Sequence, residues 1–210
     1  MARAENPISI SIAPTVQVIG KRYYDLPGTI ELMQCLWSYS VVDGFESQNL
    51  AEWDAAGPPR DEAQKRLAAW EDSQRYAIHE LAGLLKGISL PIRSIHANRD
   101  VGICLCSGDE QEMTRGQRLI HDSLSLAEKV GAPVCVFHLW DTWKPKSDPT
   151  ALRRVLQEAA ALYPGVKASV ENTPTQLART TPLTWCGSSN GSPSICSGRR
   201  CMMNSAALSR

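Results

Sequence analysis

The sequence predicts an α/β fold around a parallel sheet. Short apolar runs suited to strands begin near residues 8, 41, 91, 133 and 166, and each is followed by a stretch with helical periodicity. The spacings of 33, 50, 42 and 33 residues are those of βα units with loops of varying length. Right-handed crossovers between such units make neighbouring strands parallel. No glycine-rich phosphate turn follows the first run, although a nucleotide-binding open sheet usually carries one there. That absence favours a (β/α) TIM-barrel type over a doubly wound sheet, with about five of eight βα units present and an irregular C-terminal tail. The expected domains are a partial barrel over residues 1–179 and a tail over 180–210.

The elements follow in order. Ile8 to Ala13 alternates apolar and polar residues and is stopped by Pro14, which suits a strand. Thr29 to Trp37 puts Ile30, Met33, Leu36 and Trp37 on one helical face, with Pro27 and Gly28 as start punctuation. Val41 to Glu46 is a second short strand. Arg60 to Lys86 reads as one long helix closed by Gly87, with Leu67, Trp70, Tyr76 (or Ala77), Leu81 and Leu84 (or Leu85) recurring at intervals built from three- and four-residue steps. Leu90 to His96 is a third strand, with Pro91 tolerable at its start. Ser107, Asp109 and Glu110 supply a hydroxyl cap and acids for a helix running to Val130 and closing on Gly131. Pro133 to His138 is a fourth strand, nearly all apolar as a parallel strand covered on both faces should be. Asp148 and Pro149 open a helix to Leu162, and Val166 to Glu171 is the fifth strand.

Composition narrows the function classes. Lys plus Arg equals Asp plus Glu at 22 each, so no net field draws the chain to nucleic acid or an anionic membrane. The balance is uneven along the chain: residues 172–210 hold four arginines and no acid, giving +4 there and −4 over residues 1–171. Seven cysteines, an odd number without redox or zinc-ribbon spacing, argue against a disulfide framework, and Cys35 and Cys135 read as small buried hydrophobes. No run of about eighteen apolar residues exists for a membrane span, and the N-terminus lacks a secretory signal pattern, so a cytoplasmic location is expected. From about Thr180 neither the helical nor the strand period continues, as in an out-of-frame reading of a gene.

The residues with chemistry recur at strand ends. Glu46, His96, His138 and Glu171 close the second to fifth predicted strands, and in parallel α/β folds these ends line the mouth of the active site. Imidazole nitrogen and carboxylate oxygen are ligands that Zn, Mn, Fe or Co accept. The other histidines, His79 and His121, fall in predicted helices. Glu46 has two further readings, as a cap for the following helix or as the partner of an arginine.

Around these positions Ser94-Ile-His-Ala-Asn-Arg-Asp100, Val136-Phe-His-Leu-Trp140 and Ser169-Val-Glu-Asn-Thr-Pro174 occur in that order with helices between. The chain in this respect resembles the xylose isomerase-like TIM-barrel superfamily of sugar isomerases, epimerases and endonuclease IV, over roughly residues 8–179. The resemblance implies that Glu171 is a metal-binding glutamate, and that His96 and His138 are metal ligands or face the substrate. It implies a divalent metal ion (Mn, Zn, Mg or Co) in a site that is incomplete here, because residues 172–210 offer no Asp, Glu or His for the later strands of the family. On this reading the catalytic and metal residues are Glu171, His138 and His96. Glu46, Asn98, Arg99, Trp140 and Asn172 bind substrate, Trp140 and Trp143 by stacking on a sugar face and the amides and guanidinium by hydrogen bonds. An alternative for Arg99 is a local ion pair with Asp100.

The expected function is isomerisation or epimerisation of a small sugar or polyol. The alternatives are an endonuclease IV-like phosphodiesterase, against which the neutral charge stands, and an inactive truncated or frameshifted product. In the last case an open barrel edge predicts self-association.

Overall fold

The computed structural model describes residues 7–22, 24–57, 74–139, 149–171, 183–187 and 193–197. Five strands form one parallel sheet whose spatial order is that of the chain: β1 (Ser9–Ser11), β2 (Gly44–Gln48), β3 (Ile92–His96), β4 (Val134–Phe137) and β5 (Lys167–Val170). A doubly wound sheet reverses direction at a switch point. Here there is no reversal, and right-handed crossovers throughout place all connecting helices on one face, as in a (β/α) barrel.

The helices are a single turn, α1 (Ile12–Thr15), then α2 (Leu26–Ser38), α3 (Ile78–Gly87), α4 (Asp100–Leu105), α5 (Glu110–Val130) and α6 (Pro149–Ala160). Their starts and stops follow local chemistry. Asp25 caps α2 by accepting from the Gly28 N–H at 2.8 Å, with Pro27 in the first turn, where no donor is needed. Asp109 caps α5 by accepting from the Glu112 N–H at 2.9 Å, and Gly131, at φ 75°, closes it in the left-handed conformation.

Burial alternates along the strands. In β4, Cys135 and Phe137 are fully buried while Val134 and Val136 are only partly so. Phe45 of β2 and Ile95 of β3 are likewise at 0% exposure. These side chains meet Leu119, Ile120, Leu124 and Ala127 of α5, Leu81 and Leu85 of α3, Met33 of α2 and Leu156 of α6 in one apolar core. The opposite face carries Ser11, Glu46, Gln48, Ser94 and His96 in register: Ser11 pairs with Glu46, Glu46 with Ser94, and Gln48 with His96. The sheet is therefore apolar towards the helices, and its other side is polar along β1 to β3 and carries the half-buried Val134 and Val136 of β4.

Several expectations change. The first strand is shorter than predicted, because Ile12 to Thr15 already turns helical around Pro14. The second strand is Gly44–Gln48 rather than 41–46, so Glu46 lies in the middle of β2 and does not close it. The register shift between Phe45 and Glu46 against β3 accompanies this change. The long helix expected over 60–86 does not continue through Tyr76, which makes a parallel bridge to Asp54 before α3 begins at Ile78. Residues 58–73 lie outside the described residues. The cap of α5 is Asp109, while the Ser107 hydroxyl accepts from the Asp109 N–H. Sequence periodicity missed α4, whose six residues pack on α5 where Gly116 comes close to Leu105; a Cβ there would sit 3.0 Å from the leucine side chain.

Within the stretch expected to be irregular, β6 (Leu183–Gly187) and β7 (Pro193–Ser197) pair antiparallel. The intervening sequence contains Asn190-Gly191, a hairpin dipeptide that a search for core-forming periods passes over. Among the described residues no helix is long and apolar enough to cross a membrane.

Candidate metal centre

Three successive strands deliver the candidate residues. His96 is the last residue of β3, His138 follows β4 directly, and Glu171 follows β5 directly. Backbone hydrogen bonds carry the sheet ladder past the strand ends. The Asn49 N–H donates to the His96 carbonyl at 2.9 Å, the Ala97 N–H to Val136 at 2.8 Å, and the Glu171 N–H to Phe137 at 3.0 Å. The side chains that follow are thus set on a continued sheet rather than on free loops.

His138 Nε2 lies 2.8 Å and His96 Nε2 3.3 Å from the same oxygen, Glu171 Oε2. The two imidazole rings meet edge to face with centroids 4.9 Å apart. Side-chain exposures of 19% for His96, 30% for His138 and 49% for Glu171 make the cluster a half-open one, reachable from solvent. The His138 hydrogen bond is the main reason the Glu171 carboxyl lies below the ordinary glutamate range; burial opposes it, and the His96 contact adds to the lowering. Glu171 is therefore an anion near neutral pH.

The donor set fits a divalent metal. His96 Nδ1 lies 3.2 Å from the Ala97 carbonyl oxygen. A backbone acceptor on the nitrogen away from the ion is what metal-ligating histidines commonly have. The ligand atoms all lie within 4.8 Å of one another. Ligands bound at ~2.0–2.2 Å to one ion are spaced by ~3 Å or a little more, close to the 2.8 and 3.3 Å found here. Three protein ligands with the cluster open to water is the pattern of catalytic rather than structural metal sites.

The other predicted residues separate. Glu46 is on the same face of the sheet, but two residues before the end of β2, about 6.6 Å further down the strand. Its Oε2 accepts from the Ser94 hydroxyl at 3.1 Å. Asn98 does not face a substrate: it is fully buried, and its Oδ1 accepts from the Asp100 N–H at 3.0 Å to start α4. Arg99 is engaged by the buried Glu52, with Nη1 3.0 Å from Oε2 and Nη2 bonded to Oε1. The expected partner of Arg99, Asp100, pairs instead with Arg115 at 2.8 Å. Asn98 and Arg99 are thus both engaged by partners within the protein. Trp140, Trp143 and Asn172 lie outside the described residues. Trp53 is structural, 2% exposed and donating from Nε1 to the Tyr24 carbonyl at 2.6 Å.

Sequence reasoning missed Gln48, which pairs with His96 at the end of β2 and donates to the Ser11 hydroxyl at 3.4 Å. The signal was available in the period-two pattern, once β2 is started at Gly44.

No family model and no curated sequence matches the chain. Among solved structures it is similar to a D-tagatose 3-epimerase-like protein, at 17% sequence identity and a TM-score of 0.48, over 81% of this chain and 54% of that one. It is also similar to endonuclease IV from Thermus thermophilus, at 18% identity and a TM-score of 0.44, over 80% of this chain and 52% of that one. The chain spans about half the length of each of these structures.

Proposed function

We propose that this protein acts on a small sugar or polyol as an isomerase or epimerase, with a divalent metal held by His96, His138 and Glu171. The observation that carries the reading is the meeting of three donor atoms, from the ends of three successive parallel strands, at one solvent-accessible point. A divalent ion bound there polarises a carbonyl and its neighbouring hydroxyl.

The chain's own residues divide the remaining work. Glu171, kept ionised by its histidines, serves as an anionic ligand and is a poor proton carrier. His96 is oriented by its Nδ1 contact with the Ala97 carbonyl. Glu46, further down the same face and tethered by Ser94, offers a carboxylate to substrate hydroxyls, with the Gln48 amide above it. Trp140 and Asn172, which follow His138 and Glu171 in sequence, are proposed to complete the substrate contacts. We assign the reaction to the cytoplasm, in keeping with Cys35, Cys104 and Cys135 not being in disulfides.

The test combines metal binding with turnover. Isothermal titration with Zn²⁺ and Mn²⁺ is expected to show one saturable site, which Glu171→Gln weakens by at least ~100-fold, beyond the ~10–100-fold typical of residues behind the ligands. Aldose–ketose and epimer conversion, followed by chromatography with and without metal, is expected to require the ion. Absence of saturable binding, or conversion that ignores metal, overturns the reading. Cleavage of an abasic duplex without sugar conversion replaces it with a phosphodiesterase.

A further inference from the structure

Behind the metal cluster, on the helix side of the sheet, a buried hydroxyl sits where the ends of β2 and β3 meet α5. Ser123 of α5 is 0% exposed, as is Asn98, and Asn49 is 4% exposed. The Ser123 Oγ accepts from Asn49 Nδ2 at 3.1 Å and from the Asn98 N–H at 3.3 Å, and donates to the Leu119 carbonyl at 2.8 Å. A serine hydroxyl has one donor and two acceptor positions, and all three are used. The two residues it holds flank His96. Asn98 is two residues after it in the chain, and the Asn49 N–H donates to the His96 carbonyl at 2.9 Å.

We propose that Ser123 is a positioning residue for the metal cluster: through Asn49 and Asn98 it fixes the β3 end from which His96 reaches Glu171. This rests on the proposed metal-binding reading and extends it to a residue that touches neither ligand nor ion. An ordinary core position in α5 is filled by a leucine or alanine, as at Leu119, Leu124 and Ala127. A polar atom there is stable only when fully bonded. Asn98 accepts a cost for its place, because its Nδ2 is buried and has no hydrogen-bond partner among the described residues. Packing alone does not require that arrangement, whereas holding the segment 96–98 in one conformation does.

The test uses the full chain with Ser123→Ala, Asn49→Leu and a control, Leu85→Ala, that removes packing from α3 without touching any of these hydrogen bonds. Zn²⁺ affinity is measured by calorimetry, and amide hydrogen exchange is measured on the metal-free protein. Ser123→Ala is expected to weaken Zn²⁺ about 10-fold, the lower end for residues behind a ligand. It is also expected to raise exchange at Ala97 and Asn98 about 10-fold more than at core amides of β4. Asn49→Leu leaves the Asn98 bond in place and is expected to show about a 3-fold loss in affinity, so the proposal stays testable if Ser123→Ala folds poorly. Leu85→Ala is expected to lower the melting temperature with affinity unchanged. Unchanged affinity in both site variants, with exchange rising uniformly across the core, overturns the proposal. If wild-type protein binds no Zn²⁺, the metal-binding reading fails, and exchange at Ala97 and Asn98 alone then decides whether Ser123 fixes this segment.

Discussion

Arg118 of α5 holds two carboxylates from different parts of the chain. Its Nη2 and Nη1 lie 2.6 and 3.1 Å from the two oxygens of Asp54, and Nη1 lies 2.7 Å from Asp122 Oδ2. Asp54 is only 8% exposed and Asp122 26%, so replacing Arg118 with methionine leaves two poorly hydrated carboxylates beside one another. Breaking a buried pair costs about 3–5 kcal/mol and an exposed one about 0–1. With Arg118 itself 32% exposed, an intermediate cost of about 2–4 kcal/mol is expected at neutral pH. At roughly 2–4 °C per kcal/mol for a chain of this size, the melting temperature falls by about 4–16 °C. The pH dependence has a definite sign. Burial raises Asp122 above its ordinary value of 3.8, and Arg118 is what limits the rise. A carboxyl raised in the folded state contributes stability below its unfolded pKa, and that contribution is lost as pH rises through the folded value. Removing Arg118 raises the folded value further, so the deficit is largest at neutral pH and shrinks as the pH falls towards 4. Urea unfolding across this range measures both effects. The double variant Arg118→Met/Asp54→Asn is expected to be more stable than Arg118→Met alone by at least ~1 kcal/mol, because one buried charge has gone. A cost below about 1 kcal/mol at neutral pH, or one that does not vary with pH, refutes the reasoning.

Two further outcomes can be checked directly. Gly131→Ala places a Cβ in a left-handed residue that has no neighbouring atom within 4 Å, so only backbone strain acts, and chemical denaturation should show a loss of about 1–2 kcal/mol, with Gly131→Asn less affected. Burial, with help from the Glu112 hydrogen bond, pushes the Cys104 thiol up to about 12, and burial also raises Cys135. Iodoacetamide at neutral pH should therefore label exposed Cys35 in the native protein, as read by mass spectrometry, and reach Cys104 and Cys135 only after unfolding.

The parts of the structure legible in advance are those encoded over short distances. Short apolar runs located all five parallel strands to within a few residues, and Gly131 marked the end of α5. His96, His138 and Glu171 were found because a strand end is itself a sequence position, and the sheet then brings those positions together. Glu46 was displaced because Val41-Val42 looks like a strand start, whereas pairing with β1 begins at Gly44. The partner of Arg99 was not legible, since Glu52 lies 47 residues away and nothing local links the two. Ser123 was passed over for a similar reason. A serine within a helix attracts no notice until Asn49 and Asn98 are seen to converge on it from 74 and 25 residues away. The six-residue α4 is too short to show a period at all.

The alternation of apolar and polar faces along the strands separates what keeps this protein folded from what it can do. Ile95 and Ser94 are neighbours in β3, one fully buried against the helices and the other on the polar side beside Glu46. Truncating Ile95 to alanine costs on the order of 2–5 kcal/mol, whereas losing the partly exposed Ser94 hydroxyl costs about 0.5–1.5 kcal/mol. Positions such as Ser94 can therefore vary with little penalty to folding, whereas Val134 and Val136 on the same face are half-buried. Changes at such positions leave in place the buried packing from which His96, His138 and Glu171 are set together.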